Sequence, residues 1–285
     1  MCVHGPTGIT VLNDADLRTT FETAPVSVQG QFVDASNNTL LVLLDGSDGV
    51  QAVYKPVRGA RPLHDFDATT LSWREVMAYG ISRSLGLDCV PLTVWRDDLP
   101  FGPGSLQLFI DHDGSAVADV IAWEGDAAAD EPGIDDADVV PDGFLVAFEG
   151  QDETGQPVAL IHRDDAQLRS IALFDAVINN ADRKAGHVLR QHGRWFAIDN
   201  GLSLHCEPKM RTVLWGWAGE PLVDEERDLL RRLVESGDIH ADVRRAMADN
   251  SDEWDALLDR AAGILQSGCL PLPDPRRRSI PWPVF

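Results

Sequence analysis

The fold of this chain is decided by the stretch Asn179-Asn-Ala-Asp-Arg-Lys-Ala-Gly-His187 and, one short hairpin later, by Ile198-Asp-Asn-Gly-Leu202. The segment 164–179 before the first run carries apolar side chains at three-and-four spacing, which predicts a helix. Two short strand-like segments within 187–198, joined at a His-Gly turn, predict a hairpin. The chain therefore places a polar loop after a helix and a second polar loop after a hairpin.

Two aspartates in these loops are candidates for chemistry. Asp182 stands 17 residues before Asp199, and the intervening hairpin would bring both to the same end of one lobe. Asp199 follows a strand and precedes Asn-Gly, where the glycine permits a sharp turn while the carboxylate projects into a cleft. Asp-Asn-Gly is also a common structural turn. The functional interpretation therefore depends on the order of the motifs.

The N-terminal part has the pattern of an antiparallel sheet with one main helix. Alternating or continuous apolar runs predict strands at 26–33, 39–44, 50–56, 90–95 and 104–110. A helix is predicted over 71–85, ending at a glycine. Lys55 ends the third strand and Glu75 lies 20 residues later in the helix. Such a pair can fix an ammonium against nucleotide phosphates, although an exposed lysine and glutamate are an open alternative.

Beyond residue 164 the pattern is mostly helical, with the hairpin embedded in it. A β-rich lobe with one helix followed by a mostly helical lobe predicts an α+β, bilobal, kinase-like fold. The expected division is an N-lobe at 1–110, an acidic insertion or linker after the hinge at 111–163, a helical C-lobe at 164–270 and a Pro/Arg-rich tail at 271–285.

Four motifs together resemble one kinase superfamily. They are Tyr54-Lys55-Pro56, Trp73-Arg-Glu75, Asn180-Ala-Asp-Arg183 and Ala197-Ile-Asp-Asn-Gly-Leu202. This set is similar to the phosphatidylinositol 3-/4-kinase superfamily, and particularly to a small branch known mainly from actinobacterial genomes. The type II phosphatidylinositol 4-kinases share the last two motifs, and toxin kinases of the HipA type are more distant relatives.

The resemblance implies a role for each matched residue. Lys55 would bind the phosphates of ATP and Glu75 would orient it. Asp182 would be the catalytic aspartate facing the acceptor hydroxyl, and Asp199 would hold Mg²⁺. Lys184, beside the catalytic loop, would neutralise charge that develops on the transferred group.

Three further positions are expected to bind the nucleotide. The strand 107–110 falls where the hinge that reads adenine belongs in this family, which makes Gln107 and Phe109 candidate adenine contacts. The turn 34–38 falls where the phosphates are covered, and Ser36 would contribute there together with backbone amides.

The sequence departs from the family pattern at one metal position. The family has Asn five residues after the catalytic aspartate, and this chain has His187. Imidazole is a softer ligand that suits Mn²⁺ or Zn²⁺ better than Mg²⁺, so His187 is a candidate ligand for Mn²⁺. A histidine at the edge of the hairpin that makes only a structural hydrogen bond is the alternative.

The predicted function is ATP-dependent transfer of the γ-phosphate to a hydroxyl acceptor, with Mg²⁺ or Mn²⁺ as the metal. Two alternatives stay open. A pseudokinase or nucleotide-binding interaction module would bind without turnover because its metal site is altered. An AMP transferase would use the same pocket with the α-phosphate.

Composition restricts the partners of this 285-residue chain, whose formal net charge is −22. Residues 97–162 contain 16 acidic residues and no Lys or Arg. The charge argues against nucleic acids and against stable association with anionic membranes. The acceptor is therefore expected to be a protein or small molecule rather than a phosphoinositide, with a basic protein or peptide as one candidate.

The cysteines and the N-terminus predict the location of the protein. The four cysteines are widely spaced and suggest neither a zinc site nor a disulfide framework. The N-terminal sequence lacks the basic and apolar regions of a secretion signal. The expected location is the cytoplasm.

Overall fold

The computed structural model describes residues 14–32, 38–123, 140–237, 239–247 and 250–285. Ser36 and the acidic segment 124–138 lie outside these described residues. The chain divides into two compact units, of which the first comprises Met1–Tyr79 and Pro91–Phe109 and the second Gly80–Val90 and Ile110–Phe285.

The first unit contains a five-stranded antiparallel sheet. Its strands are β1 (Val26–Gln31), β2 (Leu40–Leu44), β3 (Gln51–Pro56), β4 (Thr93–Arg96) and β5 (Gly104–Leu108), preceded by helix α1 (Asp14–Thr23). The order across the sheet is β1-β2-β3-β5-β4, with every neighbouring pair antiparallel. The strands predicted from apolar alternation are therefore present, each one or two residues shorter than predicted. Strand β4 begins three residues later and ends one residue later than expected.

Strand periodicity sets which side chains of β3 enter the core. Ala52 and Tyr54 are fully buried and pack with Phe21 and Leu106 in one cluster. Because successive side chains of a strand point to opposite faces, Lys55 lies on the other face from Tyr54. The hydrophobic core thus fixes the side of the sheet on which the candidate phosphate-binding lysine stands.

The second unit carries most of the helices and two further sheets. Its helices are α3 (Ala166–Ile178), α4 (Asp224–Ser236), α5 (Ala241–Met247) and α6 (Ser251–Ser267), while α2 (Leu71–Ser84) contributes residues to both units. Its strands are β6 (Ala118–Ala122), β7 (Phe144–Gln151), β8 (Pro157–Arg163), β9 (Val188–Gln191) and β10 (Arg194–Ala197). Strands β9 and β10 form the predicted hairpin.

Helix α3 delivers the chain to the first polar loop. The Asp165 carboxylate caps its N-terminus by accepting a hydrogen bond from the Gln167 amide at 2.8 Å. Asn179 ends it in the left-handed conformation, with φ 56°, which Asn tolerates better than most residues. The caps therefore stop the helix directly before Asn180 and Asp182.

The segment predicted as an acidic linker contains a sheet that the sequence did not indicate. Strands β6, β8 and β7 form an antiparallel sheet in that order. At its end His162 is buried and accepts a hydrogen bond at Nε2 from the Gly216 amide, 2.8 Å away. Burial lowers the pKa of His162, so the ring that Trp217 packs against is neutral.

The Pro/Arg-rich segment 271–285 is attached to the second unit. The Ser279 carbonyl accepts hydrogen bonds from the Thr212 amide at 3.1 Å and from Trp215 Nε1 at 2.8 Å. The Val284 carbonyl accepts one from the Ala185 amide at 2.9 Å. The segment therefore lies along the loops that carry the candidate catalytic residues.

None of the described helices is long and apolar enough to cross a membrane.

Gly104 gives a test of the sheet. A Cβ at this position would lie 2.3 Å from the Lys55 carbonyl oxygen and 2.8 Å from Pro56 Cα, whereas a Cβ at Gly30 in the same sheet would meet nothing within 4 Å. Because backbone cannot move aside cheaply, we expect Gly104→Ala to lower the free energy of unfolding by about 1–3 kcal/mol. Gly30→Ala, the matched control, should change it by less than about 0.5 kcal/mol.

Urea-induced unfolding followed by circular dichroism measures both variants. Equal stability of Gly104→Ala and Gly30→Ala would contradict the close approach of β3 and β5 at this point.

Candidate active site

One group of candidate residues is an ion pair between β3 and α2, inside the first unit. Lys55 Nζ contacts Glu75 Oε1, and the Ser72 hydroxyl donates to the Lys55 carbonyl at 2.9 Å. The Glu75 side chain is only 3% exposed and that of Lys55 is 20% exposed. A carboxylate this buried needs a cation beside it, so the predicted pairing of the two residues is present and is not a chance surface contact.

The candidate adenine contacts lie on β5 and just after it. Gln107 is buried, and its Nε2 donates to Thr93 Oγ1 at 2.9 Å. The Phe109 amide donates to the Gln51 carbonyl at 3.2 Å. These hydrogen bonds fix both residues in the sheet. Their role toward adenine stays a prediction, as does that of Ser36, which the structure does not describe.

A second group of candidate residues lies in the second unit and centres on Arg183, which is fully buried. Its guanidinium makes three hydrogen bonds to the Asp175 carboxylate on α3, at 2.9–3.2 Å. Burial raises the pKa of Asp175, and the guanidinium of Arg183 opposes that rise. The pair is thus a buried, charge-assisted contact of the kind that fails badly when one partner is removed.

Arg183 also ties together the two loops. Its Nη1 donates to the Ile198 carbonyl at 2.6 Å and to the His187 carbonyl at 3.2 Å, and its Nη2 donates to Asn200 Oδ1. The Asn200 side chain is fully buried and donates in turn to the Ala197 carbonyl at 3.1 Å. One side chain therefore positions the start of the hairpin and the Asp-Asn-Gly turn at once.

The sequence analysis missed the structural roles of Asp175, Arg183 and Asn200. A signal for Asp175 is present in the sequence, since this acid lies within the otherwise apolar run 171–178 of α3 and is buried there. A charge at such a position requires a partner. Arg183, in the candidate catalytic motif, is the cation that pairs with Asp175.

Asp182 lies in the first loop with a lysine beside it. Lys184 Nζ is 3.2 Å from Asp182 Oδ2, and the Asp182 amide donates to Asn180 Oδ1 at 2.9 Å. Burial raises the pKa of Asp182, with Lys184 and His187 acting in the opposite direction. The carboxylate is therefore a stronger base than an exposed aspartate and has a cation at hand.

His187 connects the two aspartates. Its Nδ1 lies 2.9 Å from the Asp182 carbonyl oxygen. A carbonyl can only accept, so Nδ1 carries the proton. Burial lowers the pKa of His187 although Asp199 opposes the effect. In the neutral ring, Nε2 then presents a lone pair to Asp199 Oδ2, 3.2 Å away.

Two acceptor atoms that face each other at this distance require a cation, either a proton or a metal ion. Asp199 itself has a left-handed backbone, with φ 54°, which Asp adopts more readily than most residues. Its side chain is 49% exposed, so solvent and ligands can reach it.

The donor set fits a metal bound together with a nucleotide. Among the described residues, no group of three or more His, Cys, Asp or Glu side chains could hold an ion alone. Mg²⁺ in nucleotide sites is usually held by one or two protein ligands plus substrate phosphates. Adjacent ligands on an ion with bond lengths of about 2.1 Å lie about 3 Å apart, close to the separation of His187 Nε2 and Asp199 Oδ2. The predicted metal ligands Asp199 and His187 are therefore compatible with one ion.

A double-mutant cycle tests the Arg183–Asp175 pair. Arg183→Met leaves Asp175 buried without its partner, so we expect the free energy of unfolding to fall by about 3–5 kcal/mol. Asp175→Leu should behave similarly, and the double variant should lose less than the sum of the two. Arg231→Met is the control, because its Asp228 partner is exposed and such pairs contribute about 1 kcal/mol or less.

Urea unfolding of the four proteins gives the coupling energy. Additive losses, with no coupling between Arg183 and Asp175, would contradict the role assigned to the pair.

Two solved structures resemble this chain. A crystal structure of the Golgi casein kinase with Mn/ADP bound superposes with a TM-score of 0.52 and 13% identity, covering 89% of this chain and 74% of that one. A second crystal structure of the Golgi casein kinase gives 0.51 and 12%, covering 91% and 76%. At this identity the likeness shows the fold. The predicted α+β, bilobal, kinase-like fold is confirmed.

Sequence comparison gives a nearer relative. No family model matches the chain. Protein Rv2133c of Mycobacterium tuberculosis (strain ATCC 25618 / H37Rv) is 40% identical over 269 residues, covering 91% of this chain and 92% of that protein. Identity at this level over nearly the full length of both proteins shows common descent. The chain belongs to the same family as protein Rv2133c.

Proposed function

We propose that this protein is a kinase that transfers the γ-phosphate of ATP to a hydroxyl acceptor with the help of Mg²⁺ or Mn²⁺. The observation that carries the proposal is that one buried arginine, Arg183, holds the loops of Asp182 and Asp199 together. If the Asp199-Asn-Gly turn were only structural and unrelated to the loop of Asp182, the two would not need to be bound by the same buried side chain. The kinase-like fold and the Lys55–Glu75 ion pair support the same activity.

Phosphoryl transfer asks the protein mainly for positioning and charge. Lys55 would contact the α- and β-phosphates. The buried Glu75 restricts the ammonium to one place, which lowers the entropic cost of binding the phosphates. Lys55 contacts Glu75 directly, so the ammonium has a defined position on β3.

Asp182 would orient the acceptor hydroxyl and accept its proton at a carboxylate oxygen. Its pKa is raised by burial, which brings a carboxylate closer to the strength that a general base needs near neutral pH. Lys184, 3.2 Å from Asp182 Oδ2, would neutralise negative charge on the group in transfer.

Asp199 and His187 would hold the metal. When bound, the ion would supply positive charge to the phosphates. A nitrogen ligand favours Mn²⁺ over Mg²⁺, and the solved Golgi casein kinase holds Mn/ADP. We therefore propose Mn²⁺ as the preferred ion of this chain, with Mg²⁺ as the other candidate.

The finer placement and the acceptor are also proposals. We place the chain in the phosphatidylinositol 3-/4-kinase-like superfamily on its motifs. A protein or small-molecule acceptor, rather than a phosphoinositide, is supported by the loop after the metal motif. There Lys209 faces Glu207 at 3.6 Å, and Arg211 Nε donates to the Ala181 carbonyl, so these cations are engaged within the protein.

The cytoplasmic location stays a prediction. The cysteines of the described residues, Cys89, Cys206 and Cys269, are free thiols, as a reducing compartment would maintain them.

Transfer of label from ATP tests the proposed activity. The full chain is incubated with γ-labelled or α-labelled ATP, with Mn²⁺ or Mg²⁺, and with a mixture of basic peptides and proteins as acceptors. We expect label from the γ position only. Asp199→Ala and Asp182→Asn should reduce it by about 100-fold or more, because they remove a metal ligand and the general base. The control Asp228→Ala changes an exposed aspartate on α4 and should leave transfer unchanged.

The other functions predict different results. Label from the α position would indicate AMP transfer. Binding of ATP by calorimetry without transfer of either label would indicate a pseudokinase. Absence of ATP binding would overturn the proposed function entirely.

A further inference from the structure

A cavity of about 400 Å³ opens in the second unit, and none of the proposed catalytic groups is among its lining residues. We name it the α6 cavity, because Arg260, Gly263, Ile264 and Ser267 on one face of α6 form a wall of it. Segments from 208–210 and 271–279 form the other walls. Its volume is within the usual range for sites that bind small molecules, about 300–1,000 Å³.

The charges in the wall of the α6 cavity are opposite in sign to those of the protein. Four cationic residues line it, Lys209, Arg260, Arg277 and Arg278, against one acid, Asp274. Lys209 pairs with Glu207 and Arg277 with Asp274, each at 3.6 Å. Arg260 and Arg278 therefore contribute most of the positive charge that a ligand would meet. The chain as a whole carries a formal charge of −22. The remainder of the lining is mainly apolar, including Met210, Trp215 and Leu272. The cavity thus offers an apolar interior with a positive wall.

Arg260 is held rigidly at this wall. Its Nε donates to the Val177 carbonyl at 3.0 Å and its Nη1 to the His205 carbonyl at 3.2 Å. Both partners are neutral, and Nη2 is inaccessible to solvent and makes no hydrogen bond within the described part of the chain. Burial lowers the pKa of Arg260 to about 10, outweighing the carboxylates of Glu253 and Asp259, which act to raise it. Because that pKa is still well above neutral pH, Arg260 is a partly buried charge that an anion in the cavity would stabilise.

Hydrogen bonds within the chain hold the walls of the cavity together. Arg277 Nη1 donates to the Pro208 carbonyl at 2.6 Å, joining the segments 208–210 and 271–279. The Lys209 amide donates to Asn179 Oδ1 at 2.8 Å, at the end of α3. Such a preformed site loses little conformational entropy on binding.

Gly263 keeps the cavity open. A Cβ at this position would meet nothing within 4 Å, so the space in front of the helix is empty. Glycine inside a helix costs about 1 kcal/mol relative to alanine. A larger side chain at this position can therefore fill the cavity without a clash in the backbone.

We propose that the α6 cavity binds an amphiphilic organic anion, a compact apolar group that carries a phosphate or carboxylate. The apolar group would occupy the space between Met210, Trp215 and Gly263. The anionic group would lie at the cationic wall formed by Arg260 and its neighbours. This proposal does not depend on the kinase activity, because Asp182, Lys184, His187 and Asp199 are not part of the lining.

Calorimetric titration of the full chain tests the proposal, with hexyl phosphate, hexanoate, inorganic phosphate and hexanol as probes. We expect hexyl phosphate or hexanoate to bind saturably, at one site, at least about tenfold more tightly than inorganic phosphate and hexanol. Only the first two compounds carry both an apolar chain for the interior and an anionic group for the positive wall. Comparison of the two identifies the preferred anionic group.

Two variants locate the site. Gly263→Leu should weaken binding at least about tenfold by filling the space, while Gly263→Ala should retain it. Arg260→Met should weaken binding of the anions to the level of hexanol, and the exposed Arg231→Met is its control. Thermal unfolding of each variant verifies that it is folded.

The proposal is overturned if neither hexyl phosphate nor hexanoate binds saturably. It is equally overturned if Gly263→Leu binds them as the unaltered chain does, since the anion would then occupy another site, such as the one proposed for ATP phosphates.

Discussion

The buried contact between Arg183 and Asp175 is the constraint on which the rest of the candidate site depends. Taking both charges out of water is costly. The cost is offset because all three nitrogen atoms of the guanidinium donate hydrogen bonds, to the Asp175 carboxylate, two backbone carbonyls and the Asn200 side chain. Those acceptors belong to α3, to the first polar loop and to the turn after β10. The same contact that satisfies a buried charge therefore determines where Asp182 and Asp199 stand.

With the two loops held by Arg183, the electrostatic properties of Asp182, His187 and Asp199 follow from their surroundings. Asp182 is partly buried, and burial raises its pKa, while the ammonium of Lys184, 3.2 Å from its carboxylate, opposes that rise. His187 must donate at Nδ1 to a backbone carbonyl, so its Nε2 faces Asp199 with a lone pair. Two acceptor atoms that face each other at 3.2 Å need a cation between them, either a proton or a metal ion. His187 replaces the asparagine of the family that the motifs resemble, and its position 3.2 Å from Asp199 would allow both side chains to bind one metal ion.

The sequence predicts those elements for which the apolar periodicity and the chemistry of the candidate residues point to the same structure. The strand that ends in Lys55 and the helix that contains Glu75 each have a clear pattern, and their contact is confirmed. The sheet of β6, β7 and β8 could not be predicted, because β6 and much of β7 are exposed and lack strict apolar alternation. The structural role of Arg183 could not be predicted either. It belongs to the motif Asn180-Ala-Asp-Arg183, and sequence alone does not show that its side chain is buried against Asp175, eight residues earlier.

The most direct test of this account is electron spin echo envelope modulation of Mn²⁺ bound to the full chain with ATP. If Asp199 and His187 hold the nucleotide-bound ion, the spectrum contains coupling to phosphorus from ATP and to a directly bound imidazole nitrogen. The nitrogen coupling disappears in His187→Asn while the phosphorus coupling remains. A spectrum of the unaltered protein with phosphorus coupling but no nitrogen coupling, or a failure to bind Mn²⁺ with ATP at all, would contradict the proposed metal site.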